Sequence, residues 1–175
     1  MNTGSSQLKN RIFFSLVFIL SFFVSATFAP GIRLGKYTLA DLLLATSFVC
    51  GIIYEDRKAV SVIALVAGFL SDIFITPPIH LSALFFFLAA YYGVKTVSVF
   101  VKINALSVSV ASIPYFFARA IVGCIYLVST NKDVSLWTII KTTLLPELAV
   151  NVITVFLLYL VLNFIYKKFK RKFFI

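Results

Sequence analysis

The chain has 175 residues, of which 61% are hydrophobic and only six are acidic, and it carries a formal net charge of +10. The apolar share exceeds the roughly 45–50% that is usual in soluble domains, and a β-barrel is disfavoured because no runs of about ten residues alternate in polarity. The basic residues lie in short clusters between long apolar runs, which is typical of membrane topology rather than of nucleic-acid binding.

The apolar runs predict an all-α membrane protein with about six transmembrane helices in one bundle, formed by a single domain over residues 1–175. The first run follows Lys9 and Arg11 and exceeds the length of a signal-peptide core, so we expect it to be retained. Five spans with a re-entrant segment are the alternative. The predicted spans are 12–28, 39–54, 59–76, 79–101, 104–128 and 147–166, with an interfacial segment at 136–145 and a basic tail at 167–175.

Prolines mark three positions along these spans. Pro77 and Pro78 predict a tight corner between the third and fourth spans, since proline lacks an amide proton and restricts the residue before it. Pro114 predicts a kink in the fifth span, and Pro146 opens the last one.

The distribution of lysine and arginine predicts the orientation. With the amino terminus inside, eleven basic residues lie at the cytoplasmic ends and four at the outer ends, so the positive-inside rule places both termini in the cytoplasm. The eleven are Lys9, Arg11, Arg57, Lys58, Lys95, Lys102, Lys167, Lys168, Lys170, Arg171 and Lys172. The four are Arg33, Lys36, Lys132 and Lys141. The basic tail is also suited to contact anionic membrane lipids.

Five ionisable residues fall in the outer half of the predicted bundle, on five different spans, and we refer to them as the polar cluster: Asp41, Asp72, His80, Arg119 and Glu147. Charged groups in lipid cost at least about 2.5–3.5 kcal/mol each, so they should face the interior and pair. We expect Arg119 to pair with Asp72 or Glu147. Three roles stay open: helix-locking pairs, a pocket for a small molecule, or a surface for a partner protein.

Small residues form stripes on the third and fourth spans. Ala64 and Gly68 lie at four-residue spacing with Asp72, and Ala89 and Gly93 repeat the spacing on the next span. Such stripes let helix backbones approach closely. They predict either internal packing or a docking surface for another protein.

Nothing in the sequence indicates catalysis or a bound cofactor. No Ser-His-Asp set, Cys-His pair, HExxH motif or phosphate-binding glycine loop occurs. Cys50 and Cys124 lack metal-ligand spacing and are interpreted as packing residues, while His80 is the only histidine, which excludes an ordinary histidine-based metal site. We therefore predict a protein that is not an enzyme.

The stretch "LADLLLATSFVCGIIYEDRKAVSVIALVAGFLSDIFITPPIHLSAL" resembles the rod shape-determining protein MreD family of bacteria. Ala40-Asp41-Leu42-Leu43 is similar to the family's Pro-Asp-Leu-Leu start of the second helix, with alanine in place of proline. Gly68 and Asp72 match its Gly-x-x-x-Asp, and from Asp72 to Leu84 the spacing fits without a gap, so that Leu81–Leu84 falls on its Leu-Ser-Ala-Leu motif. Pro78 falls on the family's proline, whereas Thr76 and His80 replace its glycines.

The resemblance implies a regulatory component of the cell-elongation machinery in the bacterial cytoplasmic membrane. It implies that the chain binds the membrane-anchored scaffold MreC directly. Through MreC, the resemblance implies, the chain is connected to the actin-like MreB filament, to the polymerase RodA and to the transpeptidase that works with RodA. In this interpretation the chain helps to direct lateral peptidoglycan synthesis and to maintain cell shape.

A second class of protein is the alternative. Proteins of the MreD family look similar in fold to the substrate-binding subunits of energy-coupling-factor vitamin transporters, which carry a ligand pocket in their outer half. The polar cluster suits such a pocket. The first span is bulky, however, whereas those subunits usually carry alanine-rich motifs there.

Overall fold

The computed structural model describes residues 3–28, 33–34, 38–39, 41–54, 56–74, 81–130 and 136–173, and it is mainly helical. The elements in chain order are α1 (Thr3–Phe28), β1 (Arg33–Leu34), β2 (Thr38–Leu39), α2 (Leu42–Ile53), α3 (Arg57–Phe74), α4 (Ser82–Val97), α5 (Ala105–Thr130), α6 (Leu136–Ile139), a π-helical segment (Ile140–Leu144) and α7 (Leu145–Phe173). The two short strands pair antiparallel, with Arg33 opposite Leu39.

Three helices, α1, α5 and α7, are long and apolar enough to cross a membrane. This finding is compatible with the predicted membrane protein. Helices α2 and α4 are apolar but shorter, and α3 has 18 residues that include three charged ones. Each of the six predicted spans overlaps one of the helices α1, α2, α3, α4, α5 and α7.

Two of the approximate span boundaries differ from the ends of the helices in the structure. Leu39 belongs to β2 rather than to the second helix, because Asp41 starts that helix by accepting a backbone hydrogen bond. Val101 lies beyond α4, which ends at Val97, and its side chain is exposed. The apolar run continues through this connection, so hydropathy does not detect the end of the helix.

Helix α2 lies at the centre of the bundle. It packs against α1, α3, α4, α5 and α7, and every residue from Leu43 to Gly51 is buried. Its 12 residues span about 18 Å, less than the roughly 30 Å of a bilayer core. Because neighbouring helices surround α2, its terminal backbone groups need partners from within the protein.

Glycine allows α4 to approach both α2 and α3 closely. A β-carbon at Gly51 of α2 would collide with the backbone of Ala90, and one at Gly68 of α3 would collide with the backbone of Ala83. Backbone contact of this kind requires residues without side chains. These two glycines therefore fix the position of α4 in the bundle.

Local capping and proline chemistry determine the ends of the later helices. Asn104 and Ser107 exchange hydrogen bonds, since the N–H of each is bonded to the other's side-chain oxygen, and this reciprocal arrangement starts α5. Pro114 lies within α5. The segment predicted to be interfacial continues through the π-helical turn into α7, where Pro146 cannot donate a backbone hydrogen bond.

The bundle has one end that gathers basic residues, which we call the basic end. There Nη2 of Arg11, in α1, lies 3.1 Å from Oδ2 of Asp56, between α2 and α3. The ring of Phe13 stacks on Phe169 near the end of α7. These contacts bring together the starts of α1 and α3 and the ends of α2 and α7.

Candidate functional site

Arg119 of α5 forms an ion pair with Asp41, which directly precedes α2. Nε of Arg119 lies 2.6 Å from Oδ2 of Asp41, and the two side chains are only 19% and 14% exposed. The contact is an ion pair without the alignment of a hydrogen bond, and Oδ2 has no hydrogen-bond partner among the described residues. The predicted pairing of Arg119 with Asp72 or Glu147 is therefore wrong.

Asp41 also connects α2 to α7. Its Oδ1 accepts a hydrogen bond from the N–H of Leu44 at 2.9 Å, which satisfies one of the free backbone donors at the start of α2. Its own N–H donates to Oδ1 of Asn151 at 2.7 Å. One residue thus caps the central helix, binds Arg119 and contacts α7.

Asp72 of α3 caps the start of α4. The N–H of Ser82 lies 3.2 Å from its Oδ1, and the N–H of Ala83 lies 3.4 Å from its Oδ2. The residue before α4, Leu81, provides no side-chain cap. The carboxylate is 6% exposed, and a negative charge at a helix amino terminus is favourable. Asp72 therefore joins α3 to α4 by bonding two backbone donors.

Ser82 connects this cap to the ion pair. Its hydroxyl accepts a hydrogen bond from Nη1 of Arg119 at 3.0 Å, while the guanidinium also lies 5.8 Å from the ring centre of Phe86. Helix α4 packs against both α3 and α5, which explains why Arg119 reaches Ser82. We call the connected residues the polar network: Asp41, Asp72, Ser82, Arg119 and Asn151. The network links α2, α3, α4, α5 and α7.

Glu147 and Asn151 lie four residues apart on α7, on the same side of the helix. Glu147 is half-buried and interacts electrostatically with Asp41 and Arg119. Asn151 is 1% exposed, and its Nδ2 has no hydrogen-bond partner among the described residues. An unsatisfied buried donor costs about 1–3 kcal/mol, so this amide is the position at which an acceptor would be most favourable.

Four members of the predicted polar cluster lie among the described residues: Asp41, Asp72, Arg119 and Glu147. Asp41 and Arg119 touch, Asp72 reaches Arg119 only through Ser82, and Glu147 lies within charge–charge range. His80 lies outside the described residues, as do Pro77 and Pro78 of the predicted corner.

Sequence reasoning missed two members of the polar network, Ser82 and Asn151. The sequence does single out Asn151, since it follows Glu147 at helical spacing in an otherwise apolar span. The indication for Ser82 is weaker and consists of its position as the serine of the Leu-Ser-Ala-Leu motif. Both are small uncharged polar residues, and an inventory of ionisable groups does not detect them.

The small residues of the two stripes face other helices of the bundle. Ala64 and Ala89 are fully buried, and Gly68 and Gly93 are buried too. Gly93 packs against the ring of Phe48 in α2, while Gly68 meets α4. These contacts favour internal packing over a docking surface.

The chemistry of the polar network is that of hydrogen bonding and ion pairing. Within the described part of the chain, no group of three or more His, Cys, Asp or Glu side chains is arranged to hold a metal ion. No protein-family model, curated protein or solved structure matches the chain. The function is therefore argued from the geometry and from the motifs.

Proposed function

We propose that the chain is a non-enzymatic membrane component of the bacterial cell-elongation complex, which binds an MreC-like scaffold and helps to direct lateral peptidoglycan synthesis. One observation carries this proposal. Three motifs that resemble the MreD family, at Asp41, at Gly68 with Asp72 and at Leu81–Leu84, contact one another through the polar network. Motifs that are distant in sequence thus serve one structural purpose.

That purpose is to hold five helices in a fixed arrangement. Each link of the network is short and largely buried, and removing one partner would leave a polar group unsatisfied in an apolar environment. A scaffold that assembles with other membrane proteins needs a defined outer surface. The polar network supports this role because it positions the helices that form the surface.

The partner helix should meet an outward apolar face rather than the small-residue stripes, which are occupied internally. Such faces are exposed on several of the described helices, among them at Leu16 of α1 (59%), Val66 of α3 (51%) and Leu157 of α7 (56%). In this proposal six helices cross the cytoplasmic membrane and both termini are cytoplasmic. A carboxy-terminal green fluorescent protein fusion should fluoresce, and an alkaline phosphatase fusion at the same site should be inactive.

The proposal is tested by photo-crosslinking in living cells. A photoreactive amino acid is placed singly at Leu16, Val66 and Leu157, and the adducts are identified by mass spectrometry. We expect an adduct with an MreC-like single-span protein from one of these helices and not from all three. Purification of the tagged chain in mild detergent should recover the same protein. Absence of this partner from both experiments would refute the proposal.

A substrate-binding subunit of an energy-coupling-factor transporter is the second candidate, and the buried Nδ2 of Asn151 favours it. Together with Asp41 and Arg119 this amide offers a donor, an acceptor and a charge to a small polar ligand. The same purification separates the two candidates, because a transporter subunit should bring down a pair of ATPases or a tightly bound small molecule.

A further inference from the structure

A basic cleft lies at the basic end of the bundle, where α3 begins and α4 ends. Its volume is about 310 Å³, and its lining residues are Asp56, Arg57, Lys58, Tyr91 and Lys95. Ligand-binding clefts in proteins typically measure about 300–1,000 Å³. The cleft is therefore large enough for a small polar group, and its residue Tyr91 lies about two and a half turns along α4 from Ser82 of the polar network.

The charge of the cleft favours an anion. Three of its lining residues are cationic, and none of them forms an ion pair within the described part of the chain. Among the described lining residues the carboxylate is that of Asp56, and it is already engaged, since Oδ2 contacts Arg11 at 3.1 Å and Oδ1 accepts from the N–H of Ala59 at 3.3 Å. The positive charges of Arg57, Lys58 and Lys95 are therefore available to a ligand.

The surroundings of the cleft favour a lipid over a free anion. Lys58, Val62 and Val66 follow one another at four-residue spacing on α3, and the two valines are 59% and 51% exposed. Exposed apolar side chains thus continue along the outer face of α3 from the cationic side chain of Lys58. At α4, Tyr91 lines the cleft and the ring centre of Tyr92 lies 5.4 Å from Nζ of Lys95, and tyrosines are enriched at the headgroup level of membranes.

We propose that this cleft binds the phosphate of an anionic phospholipid, with an acyl chain lying along Val62 and Val66. Basic pockets between helices on the cytoplasmic side are suited to such headgroups. Arg57 provides a planar set of donors for phosphate oxygens, while Lys58 and Lys95 add point charges from two different helices. The inference rests on this cleft and on the proposed orientation in the membrane, and it holds for either candidate function.

The test is native mass spectrometry of the full chain with added lipid. The purified protein is titrated with phosphatidylglycerol and, separately, with phosphatidylcholine of the same acyl chains. We expect selective retention of phosphatidylglycerol. The variant Arg57→Gln/Lys58→Gln/Lys95→Gln should retain it more weakly, by on the order of a hundredfold, given the contribution of each surface charge.

A matched control separates the cleft from general electrostatic attraction. The variant Lys167→Gln/Lys168→Gln/Lys170→Gln removes the same charge from the tail at the same end of the bundle, and it should weaken phosphatidylglycerol retention much less than the cleft variant does, because the tail attracts anionic lipid only in general. An equal loss in both variants would overturn the proposal, as would equal retention of the two lipids.

Inorganic phosphate is the probe that distinguishes a free anion from a lipid. At a concentration equal to that of phosphatidylglycerol it should leave lipid retention unchanged, since it lacks the apolar part. Displacement of the lipid under these conditions would mean that the cleft recognises phosphate alone, and the lipid assignment would be wrong. A Val62→Asn/Val66→Asn variant should weaken lipid retention without changing the charge of the cleft.

Discussion

Arg119 and Asp41 form a largely buried ion pair, with 2.6 Å between Nε and Oδ2, in a bundle whose other described ion pair is exposed. The second pair, Arg11 with Asp56, has side chains that are 53% and 34% exposed. Both pairs join an arginine to an aspartate, but they differ in exposure, and only the exposed pair is also a hydrogen bond. They therefore allow the effect of losing a buried ion pair to be compared with that of losing an exposed one.

Removal of one partner of the buried pair should destabilise the protein strongly. Arg119→Met leaves the carboxylate of Asp41 without its counter-charge and Ser82 without its donor, and breaking such a pair typically costs about 3–5 kcal/mol. The free energy of unfolding is measured by titration with sodium dodecyl sulfate in mixed micelles. The matched control, Arg11→Met at the exposed pair, should change this free energy little.

The double variant Asp41→Leu/Arg119→Met gives an additional test of the coupling between the two residues. It removes both charges, so its destabilisation should be smaller than the sum of the two single effects. Additive effects would mean that the two charges do not interact. In that case the polar network would lack its central link.

Loss of the carboxylate of Asp72 should loosen the start of α4. Asp72→Ala removes the acceptor for the N–H groups of Ser82 and Ala83, and the loss of a helix cap costs about 0.5–2 kcal/mol. Hydrogen exchange at these two amides should become faster. Asp72→Asn keeps one acceptor oxygen and should have an intermediate effect, and identical exchange in all three proteins would contradict the capping role.

Apolar runs predicted the helical fold and the long apolar helices α1, α5 and α7, because both follow from the length and polarity of local segments. The pairing of Arg119 did not follow from them. The predicted second span began at Leu39, which placed Asp41 near the membrane surface and Arg119 about 13 Å below it. The observed α2 begins at Leu42 and spans only about 18 Å, so that Asp41 can lie at the depth of Arg119.

The order in which helices neighbour one another also lies outside local patterns. Asp72 and Arg119 looked like partners because both are charged and both fall in the outer half of the bundle. Helix α4 packs between α3 and α5, and Ser82 therefore occupies the space through which the two charges would meet. The small-residue spacing around Gly68 predicted a close contact, but only the fold identifies Ala83 as the residue in contact.

Gly68→Ala should destabilise the protein, while Gly123→Ala should not. A methyl group at Gly68 would collide with the backbone of Ala83, so α3 and α4 would have to separate. At Gly123 in α5 no atom lies within 4 Å of the added carbon, and alanine is the better helix former by about 1 kcal/mol. Thermal unfolding in detergent should give a lower midpoint for the first variant and an equal or higher one for the second.

The stability of the basic end should depend on pH through Asp56. The pKa of this carboxyl is lowered from its ordinary value of 3.8, first by the backbone N–H of Ala59 and then by the hydrogen bond from Arg11. A lowered pKa in the folded state means that the carboxylate stabilises the fold. This contribution is fully present above the ordinary pKa of 3.8 and is lost as the pH falls through the lower folded-state pKa.

Asp56→Asn removes the titrating group, so the difference in unfolding free energy between the unmodified protein and this variant should shrink as the pH is lowered below 3.8. The difference is measured by surfactant titration at a series of pH values, which cancels the titration of the other carboxylates. Arg11→Gln removes only the second cause of the lowered pKa and should reduce this pH dependence in part. A difference that stays constant with pH would show that the carboxylate of Asp56 does not stabilise the basic end.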